Sequence, residues 1–581
     1  MEITNSNFHS VLPDVEKAIE NCSFLSIDCE LTGLYSVRNI NSFDTPCDYY
    51  EKMRNNSKDF LVIQYGLSTF RYSEEDQNFK QQTYNFYIFR RPLNRNIPDQ
   101  RFLCQSSSID FLISEGMDFN KLFREGISYL NENEKSKYEA NLEEAHKKKS
   151  ETIQSQKNGN DDNIPIPDNA RPFMTDVAEQ IELFLQGDQT ELQLPKCNAF
   201  LRKLVYQMKK EKFDKKIFLE TRQIEKDRIL VVKRAMSLEE ERENHEKNYE
   251  SQLKELDDFI GFTKVLKAIV KSEKLVIGHN LLLDFLHSIN QFLVPLPDDY
   301  EEFKEMAHNL FPRVIDTKYM SSSAPFDDLI SSSVLNQVLD RVSEEPFQIP
   351  DIVIEDGGQG YKVSDKKEHE AGYDAFITGV SFLSMWKYLG VKNNLKDSEI
   401  FGNMDLLEPY LNKIFLMFLT DNQYLHLAGE DLRVSRDHVF HLTFPKDWKL
   451  NNILQLFSPF GNVHVSWIDD TSAYVGLAKR DQAALAFKTL SQSDSYSIML
   501  YDRRRAILSG ISTPLCSPKI GKKRRSSESF PSSKKRRTDS FGSVSVLSKR
   551  SIDRIEEERE ADNENVITKT KKTFSEDNSW D

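Results

Sequence analysis

The stretch Phe24-Leu25-Ser26-Ile27-Asp28-Cys29-Glu30-Leu31-Thr32-Gly33 reads as an apolar strand whose far end presents two carboxylates one residue apart. Side chains alternate across a strand, so Asp28 and Glu30 share a face, and two anions held together repel unless a cation lies between them. The pair is a bid for a divalent-metal site, but a lone Asp-x-Glu is more often solvated, so its meaning depends on further carboxylates downstream.

Two further acids fit such a site. Leu275-Val276-Ile277-Gly278-His279-Asn280 reads as a buried strand, and the run after it carries Leu282, Phe285, Leu286, Ile289 and Leu293 at helical spacing. Asp284 falls off that apolar stripe, on the side of Asn280 one turn back. Later, His369-Glu370-Ala371-Gly372-Tyr373-Asp374 opens a helix whose buried side is Phe376, Gly379, Phe382, Leu383 and Trp386. Asp374 then sits in its first turn, with His369 just ahead. Four carboxylates suit Mg²⁺, which prefers oxygen ligands, and a neutral imidazole near pH 7 is poised for general-base work.

Asp-x-Glu on a strand, Asp after a Gly-His-Asn turn, and His-x-x-x-x-Asp opening a late helix resemble, in this order, the DEDD exonucleases of the His subtype. Residues 23–33, 60–67, 105–112 and 274–283, with the run from His438 through Trp467 to Tyr474, extend the resemblance to the poly(A)-specific ribonuclease (deadenylase) family over about residues 1–505. The resemblance implies an α/β protein with a ribonuclease H-like DEDD exonuclease core on a mixed sheet. An inserted small α/β nucleic-acid-binding domain, a C-terminal βαββαβ RNA recognition motif and a disordered tail complete it. It also implies a Mg²⁺-dependent 3′-to-5′ exoribonuclease that degrades poly(A) tails of mRNA and other RNAs to 5′-AMP. Two ions per active site would be held by Asp28, Glu30, Asp284 and Asp374, with His369 taking the proton from the attacking water. By the same resemblance Leu31 and Leu34 line the terminal-nucleotide pocket, Lys318 contacts the RNA backbone, Trp467 stacks on a 7-methylguanosine cap, and the chain acts as a homodimer. The residues alone leave open a DEDD exonuclease trimming structured non-coding RNA or DNA, and a non-catalytic RNA-binding scaffold.

At 581 residues the chain has room for three to four domains, and 39% hydrophobic residues suffice for real cores. Seventy-seven Lys and Arg against 92 Asp and Glu give a formal charge of −15, which argues against broad non-specific phosphate binding. An RNA enzyme of this balance must hold its substrate through metals, stacking and local basic patches. The cysteines Cys22, Cys29, Cys47, Cys104, Cys197 and Cys516 form no C-x-x-C, so neither a zinc site nor a disulfide framework is expected. No signal sequence and no window near the roughly 18 apolar residues of a membrane span are present, so a soluble intracellular protein without a membrane role is expected.

Along the chain, residues 1–132 read as the first part of the nuclease, with three strands forming a meander. Residues 133–168 read as a flexible linker rich in Glu, Lys, Asn and Ser. Residues 169–236 resemble an Arg-x-x-x-His single-stranded nucleic-acid-binding domain in which the pair is Arg202 and Tyr206, and 237–256 as a charged connector helix. The nuclease resumes over 257–430, including a strand over 313–320, and its alternating strands and helices imply a parallel half of the sheet. Residues 437–505 resemble the RNA recognition motif and would form the cap-binding domain, although of the usual stacking aromatics only Tyr474 is present. The tail, 508–581, reads as disordered. Its clusters Lys522-Lys523-Arg524-Arg525 and Lys534-Lys535-Arg536-Arg537 read as a bipartite nuclear localisation signal or an RNA-contacting patch, the signal being favoured and giving an expectation of nucleus and cytoplasm.

Overall fold

The computed structural model describes residues 1–35, 39–90, 100–155, 165–214, 216–224, 227–234 and 238–508. In chain order, β1 (Glu2–Ile3), β2 (Phe24–Leu31), β3 (Val62–Ser73) and β4 (Asn78–Tyr87) come first. β2, β3 and β4 pair antiparallel in sequence, as a meander does. β3 is buried along most of its length, because the sheet is covered on both faces.

The compact unit Leu130–Gly261 follows. Here the polar stretch read as a linker carries a helix, Glu132–Ser155, and only 156–164 of it lies outside the described residues. The helix lacks a wide apolar stripe because it meets the Leu238–Ile260 helix through rings. His146 stacks on His245 and on Tyr249, with centroids 4.5 and 4.0 Å apart. Between these helices β5 (Glu191–Gln193), β6 (Ile217–Ile224) and β7 (Asp227–Arg234) form a small sheet under two helices, Arg171–Gln186 and Ala199–Lys212.

The first sheet then resumes with β8 (Leu275–Gly278), β9 (Val314–Asp316), β10 (Ile352–Ile354), β11 (Lys413–Phe415) and β12 (Tyr424–His426). Its order is β1-β4-β3-β2-β8-β9-β11-β12, with β10 also on β4, and β2, β8, β9 and β11 run parallel. The strand read over 313–320 stops at Asp316. The Asp316 side chain caps Lys318 N–H and turns the chain into the helix Thr317–Ser321. One face of the sheet packs on a core holding Leu25, Ile27, Phe262, Phe285 and Phe292. The other packs on Phe24, Phe70, Phe382 and Trp386, under the long helix Ala371–Lys392.

The last sheet follows the βαββαβ order: β13 (Val439–Thr443), β14 (Val463–Asp469), β15 (Ser472–Leu477) and β16 (Ser497–Leu500), arranged β14-β15-β13-β16. One face packs on the helices Leu450–Phe457 and Ala483–Leu490. The other is not free. Phe43 lies against Tyr474 and His464, and Tyr501 of the closing helix lies against Tyr474. Asn41 reaches the carbonyls of Ser466 and Trp467, and Arg436 binds Asp421, the Phe43 carbonyl and the Tyr501 hydroxyl. No helix among the described residues is long and apolar enough to cross a membrane.

Candidate active site

The carboxyl end of β2 meets the first turn of the long helix, and the ends of β8 and β9 lie beside it in the parallel sheet, the usual place for chemistry in such a sheet. On β2 the residues facing this helix are Ser26, Asp28 and Glu30, and the Ser26 hydroxyl donates to the Ala375 carbonyl at 2.6 Å. β8 ends at Gly278 and is followed by a turn through Asn280, whose φ of 58° is a left-handed conformation that Asn tolerates, and Asp284 comes next in the first turn of the helix Leu282–His287. The long helix supplies Asp374 in its first turn. His369 precedes its N-cap with φ of 67°, a strained conformation for a non-glycine residue.

Glu30, His369 and Asp374 each offer a ligand atom within 4.8 Å of the others. Asp374 Oδ2 accepts the His369 backbone N–H at 3.1 Å, whereas its buried Oδ1 has no hydrogen-bond partner. Burial pushes the carboxyl of Asp28 well above its ordinary range, with the charge of Asp284 adding to it. Burial pushes Asp284 up to about 8, and it raises Asp374 with Asp28 adding its charge. Carboxyls crowded at such cost, one of them with an orphaned oxygen, make a donor set that fits a divalent cation. Asp28, Glu30, Asp284 and Asp374 are the residues that would hold it.

The remaining predicted residues are spread more widely. Leu31 follows a register break in β2 and is buried in the larger core, and Leu34 is half-buried there, its N–H donating to Gln105 Oε1 at 3.1 Å. Lys318 Nζ donates to the Ser333 carbonyl at 3.2 Å and lies 5.7 Å from the centre of the Phe415 ring. Trp467 pairs with Ala473, so it points to the helix side of its sheet, where its ring meets Phe444 edge-on at 5.3 Å. In the other unit, Arg202 donates to the carbonyls of Cys197 and Arg228, and Tyr206 bonds Thr221, so this pair is engaged within its own fold. The basic clusters at 522–525 and 534–537 and Cys516 lie outside the described residues.

Two features escaped sequence reading. Asp316, fully buried, accepts the backbone N–H groups of Asn280, Leu281, Lys318 and Phe415 at 2.9 to 3.0 Å, and so fixes the turn that leads to Asp284. The Asp-Thr pair at the end of an apolar run is the one local signal for it, and it reads equally well as an ordinary helix cap. Phe111 meets His369 edge-on at 4.7 Å, a contact between residues far apart in the chain that no local pattern encodes.

The CAF1 family ribonuclease model matches residues 3–382, and an RNA binding domain model matches residues 429–506. Poly(A)-specific ribonuclease PARN of Xenopus laevis is 42% identical over 509 residues, covering 86% of this chain and 80% of its own. The Homo sapiens protein of that name is 43% identical over 518 residues with the same shares. The structure of S. pombe Pop2p in its Mg²⁺ and Mn²⁺ bound form aligns with a TM-score of 0.33 at 15% identity, covering 69% of this chain and 96% of that one. With a family model running through both halves of the site, and relatives above 40% identity over most of their length, the chain belongs to the CAF1 family of ribonucleases, alongside the poly(A)-specific ribonucleases.

Proposed function

We propose that the chain is a 3′-to-5′ exoribonuclease that shortens poly(A) tails to 5′-AMP with two Mg²⁺ ions held by Asp28, Glu30, Asp284 and Asp374. The convergence of Glu30, His369 and Asp374 within 4.8 Å, beside the half-buried Asp28 and the buried Asp284, is the observation that carries it. Divalent cations held there supply neutralisation of charge on the phosphoryl oxygens and activation of water. The chain's own residues do the rest. His369 takes a proton onto a ring nitrogen as water attacks, and the first turn of the long helix fixes that imidazole against the carboxylates. Leu34, with Leu31 behind it, offers an apolar wall to the terminal base, and Lys318 offers its ammonium to the RNA backbone.

Digestion of 5′-labelled poly(A), poly(U) and single-stranded DNA with and without Mg²⁺ tests this reading. Stepwise shortening of poly(A) and release of 5′-AMP only with Mg²⁺ is the expected result. Equal decay of all three polymers would remove the adenine preference, and decay in excess EDTA would remove the metals.

The Trp467 indole is half-buried beside the exposed acids Asp469 and Asp470, an arrangement that suits the cationic 7-methylguanosine base of a cap. Trp467→Ala should weaken a cap analogue by about 1 to 3 kcal/mol in a fluorescence titration while sparing turnover of uncapped poly(A). No quenching of wild-type fluorescence by the analogue would sink it. Homodimerisation rests on the family resemblance, to be checked by sedimentation. A nuclear as well as cytoplasmic residence rests on the basic clusters 522–525 and 534–537.

A further inference from the structure

The first turn of a helix leaves backbone N–H groups without partners inside the helix, and a polar side chain at the N-cap ordinarily takes one of them. The long helix departs from this, because its N-cap, Glu370, makes no such bond. The Ala371 N–H donates instead to Gln64 Oε1 at 2.9 Å, and the Gly372 N–H to Asn85 Oδ1 at 3.2 Å. These amides stand on β3 and β4 and are 2% and 0% exposed. Asn85 Nδ2 also reaches Glu370 at 3.4 Å.

The registers explain why these two positions were available. Directly paired residues on neighbouring strands share a face. Gln64 pairs with Glu30, while Gly66 pairs with Asp28 on one side and with Asn85 on the other. Asp28, Gly66 and Asn85 therefore form one row across three strands, and the start of the long helix lies over it. A Cβ on Gly66 would come 1.8 Å from the Ala371 carbonyl oxygen, so the helix backbone touches the strand backbone there. His369 lies two residues before Ala371, and Asp374 three residues after it.

We propose that Gln64 and Asn85 are positioning residues, which clamp the first turn of the long helix onto β3 and β4 and thereby hold His369 and Asp374 against Asp28 and Glu30. The clamp touches neither substrate nor reacting atoms. It sets the spacing of the carboxylates, because Asp28 and Glu30 ride on β2 whereas Asp374 rides on a helix that β3 and β4 hold in place. The inference rests on the reading of Asp374 and His369 as parts of the active site.

The test uses the full chain and four substitutions: Gln64→Leu, Asn85→Ala, Asp374→Asn and Val380→Ala. Val380 lies further along the same helix in the core and serves as a control for lost stability alone. Gln64→Met replaces Gln64→Leu should the latter not fold. Turnover and KM on an oligoadenylate are measured, together with the Mn²⁺ concentration that half-saturates the rise in melting temperature, which needs no catalysis. Gln64→Leu and Asn85→Ala should each lower kcat and weaken the Mn²⁺ response by roughly 10- to 100-fold with KM unchanged, as loss of support behind a metal ligand does. Val380→Ala should lower the melting temperature and leave both readouts as in wild type. Wild-type kcat and Mn²⁺ response in the two amide variants, with only the melting temperature lowered, would overturn the clamp. Wild-type turnover in Asp374→Asn would instead overturn the site reading, and the Mn²⁺ response of the amide variants would still decide the clamp.

Discussion

Asp374 has two unequal oxygens, one accepting the His369 backbone N–H and the other buried without a partner. An uncompensated buried acceptor of this kind is a place for a cation, so removing its charge should cost activity rather than stability. Asp374→Asn, and Ala at Asp28, Glu30 or Asp284, should lower kcat on the order of 10²- to 10³-fold or more, with a melting temperature at or above wild type in EDTA. Any one of them turning over poly(A) at the wild-type rate would remove that residue from the site. His369→Ala should lower kcat by roughly 10² to 10⁴ with KM little changed, and a loss confined to KM would make it a binding residue. The acids and His369 were legible because each sits at a fixed offset from an apolar period that announces its own strand or helix. Gln64, Asn85 and Asp316 were not. A buried amide or carboxylate looks in sequence like a surface one, and what distinguishes these three is a backbone N–H supplied from a distant part of the chain.

Elements, too, differed in how openly the sequence declared them. The long helix was plain from its buried residues, and β2 from its alternation. The helix Glu132–Ser155 was not, since its packing runs through His146, His245 and Tyr249 rather than through aliphatic side chains. The strand expected over 313–320 was cut short because Asp316 caps its own continuation as a helix, a choice that propensity does not announce. Close approach of two elements also defines what a single methyl group does. Gly66→Ala would bring a Cβ against backbone, which cannot swing aside, so the long helix must lift from β3. Destabilisation of about 1 to 3 kcal/mol by denaturant titration is expected, with a fall in kcat beyond that of Val380→Ala. Unchanged stability would mean that the two backbones are further apart than they stand here.

For the molecule as a whole, the acids of the site act on stability through protons. In the metal-free fold Asp284 holds its proton to about pH 8, whereas in the unfolded chain it releases it near pH 4. Between those values the folded state binds more protons, so folding stability falls as pH rises through this window, and divalent metal should offset the fall. Melting curves from pH 5 to 8.5 in EDTA and in Mn²⁺ check this, and a rising melting temperature in EDTA would contradict it. The docked C-terminal sheet contributes a second term. Arg436 and Asp421 form a buried pair at 2.7 Å, and Asp421→Ala would strand the guanidinium, at a cost of roughly 3 to 5 kcal/mol by denaturant titration. Another consequence lies in the order of synthesis. β2 has its parallel neighbour β8 about 250 residues downstream, with Leu25 against Val276, so the ribosome emits the meander and then the whole inserted unit before the sheet can close. At ordinary translation speeds that wait lasts roughly 10 to 50 s, during which one edge of β2 stands open to other nascent chains. Asp28 and Glu30 then act before any site is assembled: two like charges at the end of an unpaired strand discourage a second copy from adding to it.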